Sequence, residues 1–437
     1  MERKVLNELV EWKNSEGRKP LILEGARQVG KTWLMREFGK AHFEDVAEFN
    51  FDENEELKSL FKSTKNPEIL LERLSIIHGK AIQPQKTLII FDEIQECPQA
   101  LNALKYFKEK APQYAVISAG SLLGVYLAKG HSHPVGQVNI MQIYPMSFEE
   151  FLLALAPNMH TLYTQIKKGD MIEEIFHTRF IELYQTYLIV GGLPECVKVW
   201  RDTKDISALS QKMNELIAIY ERDFSKHNSS INAARILMVF RNIAAQLSKE
   251  NNKFVYSDIG KGARARNFEE AIEWLVTSGM INRVYLTKKN EMPLNVYKDL
   301  SAFKLYLFDT GLLKHMAGIP NEYIILNKDF QFKGALTENF VVQEINSNWA
   351  VAGASRTSLN YFTFGRYEID FMFQDKSGNI IPIEVKSGKN TSSVSFSAYN
   401  EKYNPKQRIR YSLLNYKIDS NITNIPLYLC GKTKELI

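Results

Sequence analysis

The sequence is poor in cysteine. Its 437 residues include only Cys97, Cys196 and Cys430, far apart and without a CxxC pair. An odd, scattered set excludes a disulfide framework and a thiolate zinc site, and predicts a reducing compartment. Long apolar runs are also missing, so neither a membrane-spanning helix nor a membrane partner is expected. The first thirteen residues read as a charged amphipathic helix, not a signal peptide. Together these features predict a cytoplasmic protein. Neither sign of charge dominates: 55 Lys and Arg stand against 50 Asp and Glu, a net charge of +5. That balance permits contact with nucleic acid without arguing for it. No repeat and no low-complexity tract stands out.

Hydrophobic residues make up 45% and charged residues 24% of the chain, as in an ordinary globular protein, and the length calls for two to four domains. The first third alternates apolar strands with helical patterns. Pro20–Glu24, Val46–Asp52, Lys86–Asp92 and Tyr114–Ser118 read as strands. Thr32–Lys40, Glu68–Ile77 and Leu101–Lys110 read as helices. Such alternation predicts a parallel α/β sheet, and the unbroken apolar run in Lys86–Asp92 suits a strand covered on both faces.

Between the first strand and its helix lies Gly25-Ala26-Arg27-Gln28-Val29-Gly30-Lys31-Thr32, which fits GxxxxGK[ST]. Glycines let the backbone curl so that its amides face phosphate oxygens, and the following helix adds its positive end. Lys31 can reach the β- and γ-phosphates, and the Thr32 hydroxyl can ligate magnesium. Asp92 and Glu93 end a buried strand, where ligands bind in open α/β sheets. Asp92 is expected in the magnesium shell and Glu93 as general base for water. Ser121, after the next strand, is a candidate for contact with the γ-phosphate or the attacking water. ATP and Mg2+ are therefore the expected ligands.

These residues resemble a prokaryotic group of AAA+-type ATPases whose P-loop reads GxRQxGKT. Phe91-Asp92-Glu93-Ile94-Gln95, Ala119-Gly120-Ser121 and Tyr144-Pro145-Met146-Ser147-Phe148-Glu149-Glu150-Phe151 are similar to its other marks, as is Gly191-Gly192-Leu193-Pro194. The chain departs from the group at Gln137, where a basic residue often follows the glycine. The resemblance implies ATP hydrolysis and allows a homo-oligomer, with Arg27, Arg222 and Arg264 as candidate arginine fingers.

Residues 156–230 read as a helical lid and 231–300 as a winged helix, with a hairpin over Asn282–Asp299. Lys261, Arg264 and Arg266 could meet DNA phosphates at the start of its second helix, whereas Glu269, Glu270 and Glu273 would oppose them. DNA contact and protein packing both remain open for this module. After a connecting segment, 301–330, residues 331–437 carry a second constellation. Glu384 and Lys386 share one face of a strand, and Asp370 lies on the strand before it. Two carboxylates can bind magnesium and a lysine can orient water for phosphodiester attack. Glu338, on the preceding helix, is a third acid. The pattern resembles the PD-(D/E)xK nucleases, which implies a restriction-endonuclease-like α/β domain acting on DNA or RNA. The same fold also serves as a non-catalytic binding module, which makes an ATP-dependent switch the alternative function. A cross-strand salt bridge is a further reading of Asp370 and Lys386.

Overall fold

The computed structural model describes residues 1–52, 54–120, 125, 136–226, 228–249, 253–260, 263–349 and 359–437. The chain divides into two compact units, one built on Met1–Tyr144 and the other on most of the chain from Pro145 onward.

The first unit is a five-stranded sheet of β1 (Leu21–Glu24), β2 (Asp45–Asn50), β3 (Thr87–Asp92), β4 (Ala115–Ala119) and β5 (Asn139–Gln142), in the order β2-β3-β4-β1-β5. Every pairing is parallel. The strand that leads into Gly25, β1, is thus separated by β4 from the strand ending in Asp92. Both strands finish on one edge of the sheet, at the point where the chain order reverses and ligands settle. All six residues of β3 are buried, as its apolar run predicts. Phe91 packs edge-on against Phe51, Phe61 and Phe107, which anchors the strand below its acidic end. The helix Lys31–His42 starts directly on the P-loop and buries Leu34, Met35 and Phe38 against the sheet.

The second unit holds helices followed by a sheet. Pro157–Gln165, Glu174–Val190, Pro194–Thr203 and Ile206–Lys226 are helical. The sheet has eight strands: β6 (Ile281–Thr287), β7 (Lys298–Leu307), β8 (Asn360–Phe364), β9 (Tyr367–Gln374), β10 (Ile380–Val385), β11 (Arg408–Ser412), β12 (Lys417–Asp419) and β13 (Ile422–Pro426). Their order is β12-β13-β11-β10-β9-β8-β6-β7. The hairpin expected of a separate winged helix is therefore an edge of this sheet. β6 pairs antiparallel with β7 and parallel with β8, which satisfies strand groups that an isolated hairpin would leave to water. The first helix expected there is one 3-10 turn, Tyr256–Asp258, before the helix Ala265–Thr277. The expected connector, 301–330, contains most of β7.

A buried polar junction explains the Gly-Gly-Leu-Pro sequence. A Cβ on Gly192 would lie 2.1 Å from the Met146 carbonyl oxygen, so only glycine lets these chains pass. Gly192 N–H donates to Asp309 at 2.7 Å, and Met146 N–H donates to the Gly192 carbonyl at 2.7 Å. Gln343, on the helix Lys333–Trp349, accepts from the Thr310 N–H and donates to Tyr187 Oη. Burial pushes the Asp309 carboxyl up to about 6, although the Leu312 and Gly192 N–H groups favour its charged form.

Candidate functional site

The P-loop closes between β1 and the helix Lys31–His42. Gly25 has φ 148°, and a Cβ there would lie 2.2 Å from the Ile143 carbonyl oxygen, so the turn requires glycine. Gln28 adopts φ 67°, a left-handed conformation at a non-glycine residue. The Lys31 ammonium is buried and donates to the carbonyls of Gly25 and Ala26, both at 2.8 Å. Burial lowers its pKa to about 8, against the opposing charges of Glu93 and Asp92.

Thr32 Oγ1 donates to Asp92 Oδ2 at 2.9 Å, a contact across sixty residues of sequence. Burial raises the Asp92 pKa, a shift that the Thr32 hydrogen bond opposes. A hydroxyl and a carboxylate side by side at the start of the helix form the hard-oxygen donor set that magnesium takes. Glu93 follows at φ 50°, ψ 44°, a left-handed turn that costs a non-glycine residue on the order of 1–3 kcal/mol. Its Oε2 accepts from Gln95 Nε2 at 2.6 Å. Gln95, one of the family marks, orients Glu93. Arg3 carries no local signal in the sequence, because its partners are distant in the chain. Its buried guanidinium donates to the Val29 carbonyl at 2.9 Å and the Tyr144 carbonyl at 2.8 Å, bracing the P-loop. Ser118 Oγ donates to the Leu21 carbonyl, a bond inside the sheet. Ser121 lies outside the described residues.

The C-terminal constellation assembles on β7, β9, β10 and the helix Lys333–Trp349. Phe371 pairs with Ile383, so the next residues of the register, Asp370 and Glu384, stand opposite one another. Asp370 Oδ2 accepts from the Val385 N–H at 2.7 Å. Lys386 Nζ lies 2.7 Å from Glu384 Oε1, so the lysine pairs with Glu384. Glu384 Oε2 is buried without a hydrogen-bond partner. The Asp370 carboxyl is pushed well above the ordinary range by burial and by the like charges of Glu384 and Glu338.

Two further groups join this cluster. Lys304, 1% exposed, lies 2.6 Å from Glu368 Oε1 and 3.8 Å from Glu338 Oε2. Tyr306 Oη donates to Glu338 Oε2 at 2.6 Å. Lys304 and Tyr306 are two apart on β7, as Glu368 and Asp370 are on β9, so each pair shares a face. Glu368 could have been found from that alternation. Lys304 gave no local signal, because only the pairing of the hairpin with the C-terminal strands brings it here. Among the described residues, no three His, Cys, Asp or Glu side chains are grouped to hold a metal ion. Two carboxylates completed by water are an ordinary magnesium site, and the unpartnered Glu384 oxygen beside Asp370 fits one.

At the helix Ala265–Thr277, Glu269 and Glu273 are ion-paired with buried Arg283 at 3.0 and 2.9 Å, while Arg264 and Arg266 are exposed. Lys261 lies outside the described residues. Among the described residues, no helix is long and apolar enough to cross a membrane.

Comparison with known proteins finds a family match over the segment that holds the first of these sites. Residues 17–152 match the family described as AAA domain. That segment, which holds the P-loop, is similar to an AAA domain. Residues 181–323 match a domain of unknown function (DUF8612), and residues 333–430 match another (DUF4143). No curated protein matches the chain. Similar solved structures include the Walker-type ATPase PABY2304 of Pyrococcus abyssi, at 15% identity and TM-score 0.45 over 72% of this chain and 95% of that one. The Aeropyrum pernix ORC1 protein in complex with DNA is similar at 14% identity and TM-score 0.26, over 72% and 91%. AMPPCP-bound DnaA from Aquifex aeolicus is similar at 12% and 0.28, over 62% and 86%.

Proposed function

We propose that this protein hydrolyses ATP and couples its nucleotide state to a nuclease-like C-terminal site acting on DNA. The observation that carries the first half is the Thr32–Asp92 hydrogen bond beside Glu93, because it unites a magnesium donor set with a base at the P-loop mouth. On binding ATP, Lys31 leaves the Gly25 and Ala26 carbonyls for the β- and γ-phosphate oxygens. The loop amides and the helix N-terminus take the remaining phosphate charge. Glu93, held by Gln95, accepts the proton of the attacking water as the bond to the γ-phosphorus forms and the β–γ bridge breaks. Thr32 and Asp92 would hold magnesium, which would supply positive charge to the phosphate oxygens.

For the C-terminal site, the supporting observation is the opposed pair Asp370 and Glu384 with an unpartnered oxygen and Lys386 alongside. Asp370 and Glu384 would hold a divalent ion, which would supply Lewis-acid polarisation of a phosphodiester, and Lys386 would orient the attacking water. Contact with DNA is supported by Arg264 and Arg266. Arg283 pairs with two of the three acids on the helix Ala265–Thr277, Glu269 and Glu273, and balances one of their charges. The alternative, a switch that binds without cutting, draws on the close Lys386–Glu384 pair, which occupies the lysine that cleavage needs.

ATP turnover with and without DNA or RNA, in wild type, Lys31→Ala and Glu93→Gln, tests the first half. Glu93→Gln is expected to bind ATP and to lose about 10²–10⁴-fold in turnover. Magnesium-dependent cleavage that Asp370→Ala and Lys386→Ala abolish, with folding intact, is the expected result for the second. Cleavage persisting in both variants refutes the assignment, and turnover without cleavage of any DNA or RNA form selects the switch.

A further inference from the structure

The C-terminal cluster holds more charge than the Asp370–Glu384 pair. Four carboxylates, of Glu338, Glu368, Asp370 and Glu384, share it with two ammonium groups, of Lys304 and Lys386. Fully ionised, the cluster has two negative charges in excess. One divalent ion balances it and a second overcharges it.

The geometry assigns a place to each positive charge. Lys386 sits at the partly exposed end, on Glu384. Lys304 sits at the buried end, between Glu368 and Glu338, with its ammonium 5.1 Å above the Tyr361 ring. Glu338 Oε2 receives the Tyr306 hydroxyl as well, so this acid is engaged on the lysine side. Glu384 Oε2 is buried without a hydrogen bond, and Glu384 is the charged group that acts most strongly on Asp370. A buried ammonium in reach of several carboxylates occupies the space and supplies the charge that a second metal ion would.

We propose that Lys304 is a built-in counter-cation that limits this cluster to a single divalent ion, placed at Asp370 and Glu384. The inference rests on the nuclease-like reading of the same site. It makes Lys304 a positioning residue, which holds Glu338 and Glu368 off the ion and contacts no substrate.

The test is manganese binding to the full chain without nucleotide, followed by the loss of the free-ion electron paramagnetic resonance signal. Ions that disappear in Asp370→Asn are those counted for the cluster. One such ion is expected in wild type and in Lys304→Arg, and two in Lys304→Met. Two cluster ions in wild type, or only one in folded Lys304→Met, overturns the counter-cation and leaves the nuclease-like reading standing. No Asp370-dependent ion in wild type overturns that reading as well. Should circular dichroism show Lys304→Met unfolded, Lys304→Gln decides by the same count, because it removes the charge and keeps a hydrogen-bond donor for Glu368. Two Asp370-dependent ions are expected in that variant, and only one refutes the proposal.

Discussion

Raising the pH from 7 to 9 is expected to weaken ATP binding about tenfold, because it discharges Lys31 before the nucleotide arrives. The buried ammonium has its pKa lowered to about 8, with burial the largest cause and Glu93, Asp92, Arg27 and Glu24 the charged groups that face it. Bound phosphate adds negative charge beside the ammonium and raises that value again. The complex therefore holds a proton that the free protein has shed. For a cation whose pKa rises on binding, the interaction is fully available below the free value and declines above it. At pH 7 roughly nine-tenths of the free protein carries the charge, and at pH 9 roughly one-tenth does, a difference of about 1.4 kcal/mol. Titration calorimetry in buffers of different ionisation enthalpy should show about half a proton taken up per ATP at pH 8. A Lys31→Arg variant keeps its charge throughout, so its weaker affinity should stay level across the range. Equal wild-type affinity at pH 7 and 9, with no proton uptake at pH 8, would refute the reasoning.

Other consequences concern Arg3, which braces the P-loop, and Asp309 at the Gly192 junction. Arg3→Ala strands the Val29 and Tyr144 carbonyls and should destabilise the first unit by on the order of 1–3 kcal/mol. Weaker ATP binding should accompany the lower melting temperature, and wild-type values for both would remove Arg3 from the P-loop's support. Asp309 predicts a pH effect of opposite origin. Its folded pKa of about 6 lies above the ordinary 3.8, so stability is greatest below that ordinary value and is lost as pH rises through 6, by roughly 3 kcal/mol. Asp309→Asn removes this titration at the expense of the Gly192 contact. The stability gap between wild type and variant should therefore change between pH 4 and pH 7 in denaturant titrations, and a constant gap excludes Asp309 as its source.

Much of the first site was legible in local sequence. A P-loop is one contiguous turn, and its glycines, lysine and threonine are dictated by phosphate chemistry at short range. Asp92 and Glu93 announce themselves because four apolar residues bury the strand that ends in them. The β9 and β10 strands and the alternation that carries Glu368, Asp370, Glu384 and Lys386 were equally readable, since a strand repeats every two residues. What the sequence could not supply was pairing between distant segments. Arg3 reaches Val29 and Tyr144 across the fold, and Gly192 meets Met146 and Asp309 only where three chain segments cross. The hairpin read as a wing became an edge of the large sheet because β6 found β8, seventy-five residues on, as its partner. That same pairing carried Lys304 out of an expected connector and into the acid cluster. The sequence by itself determined the P-loop, its acidic partners and the face that each C-terminal residue occupies, because those follow from backbone periodicity. Only the tertiary structure decided which charges meet, because a buried ammonium is held by carboxylates that no local pattern places beside it.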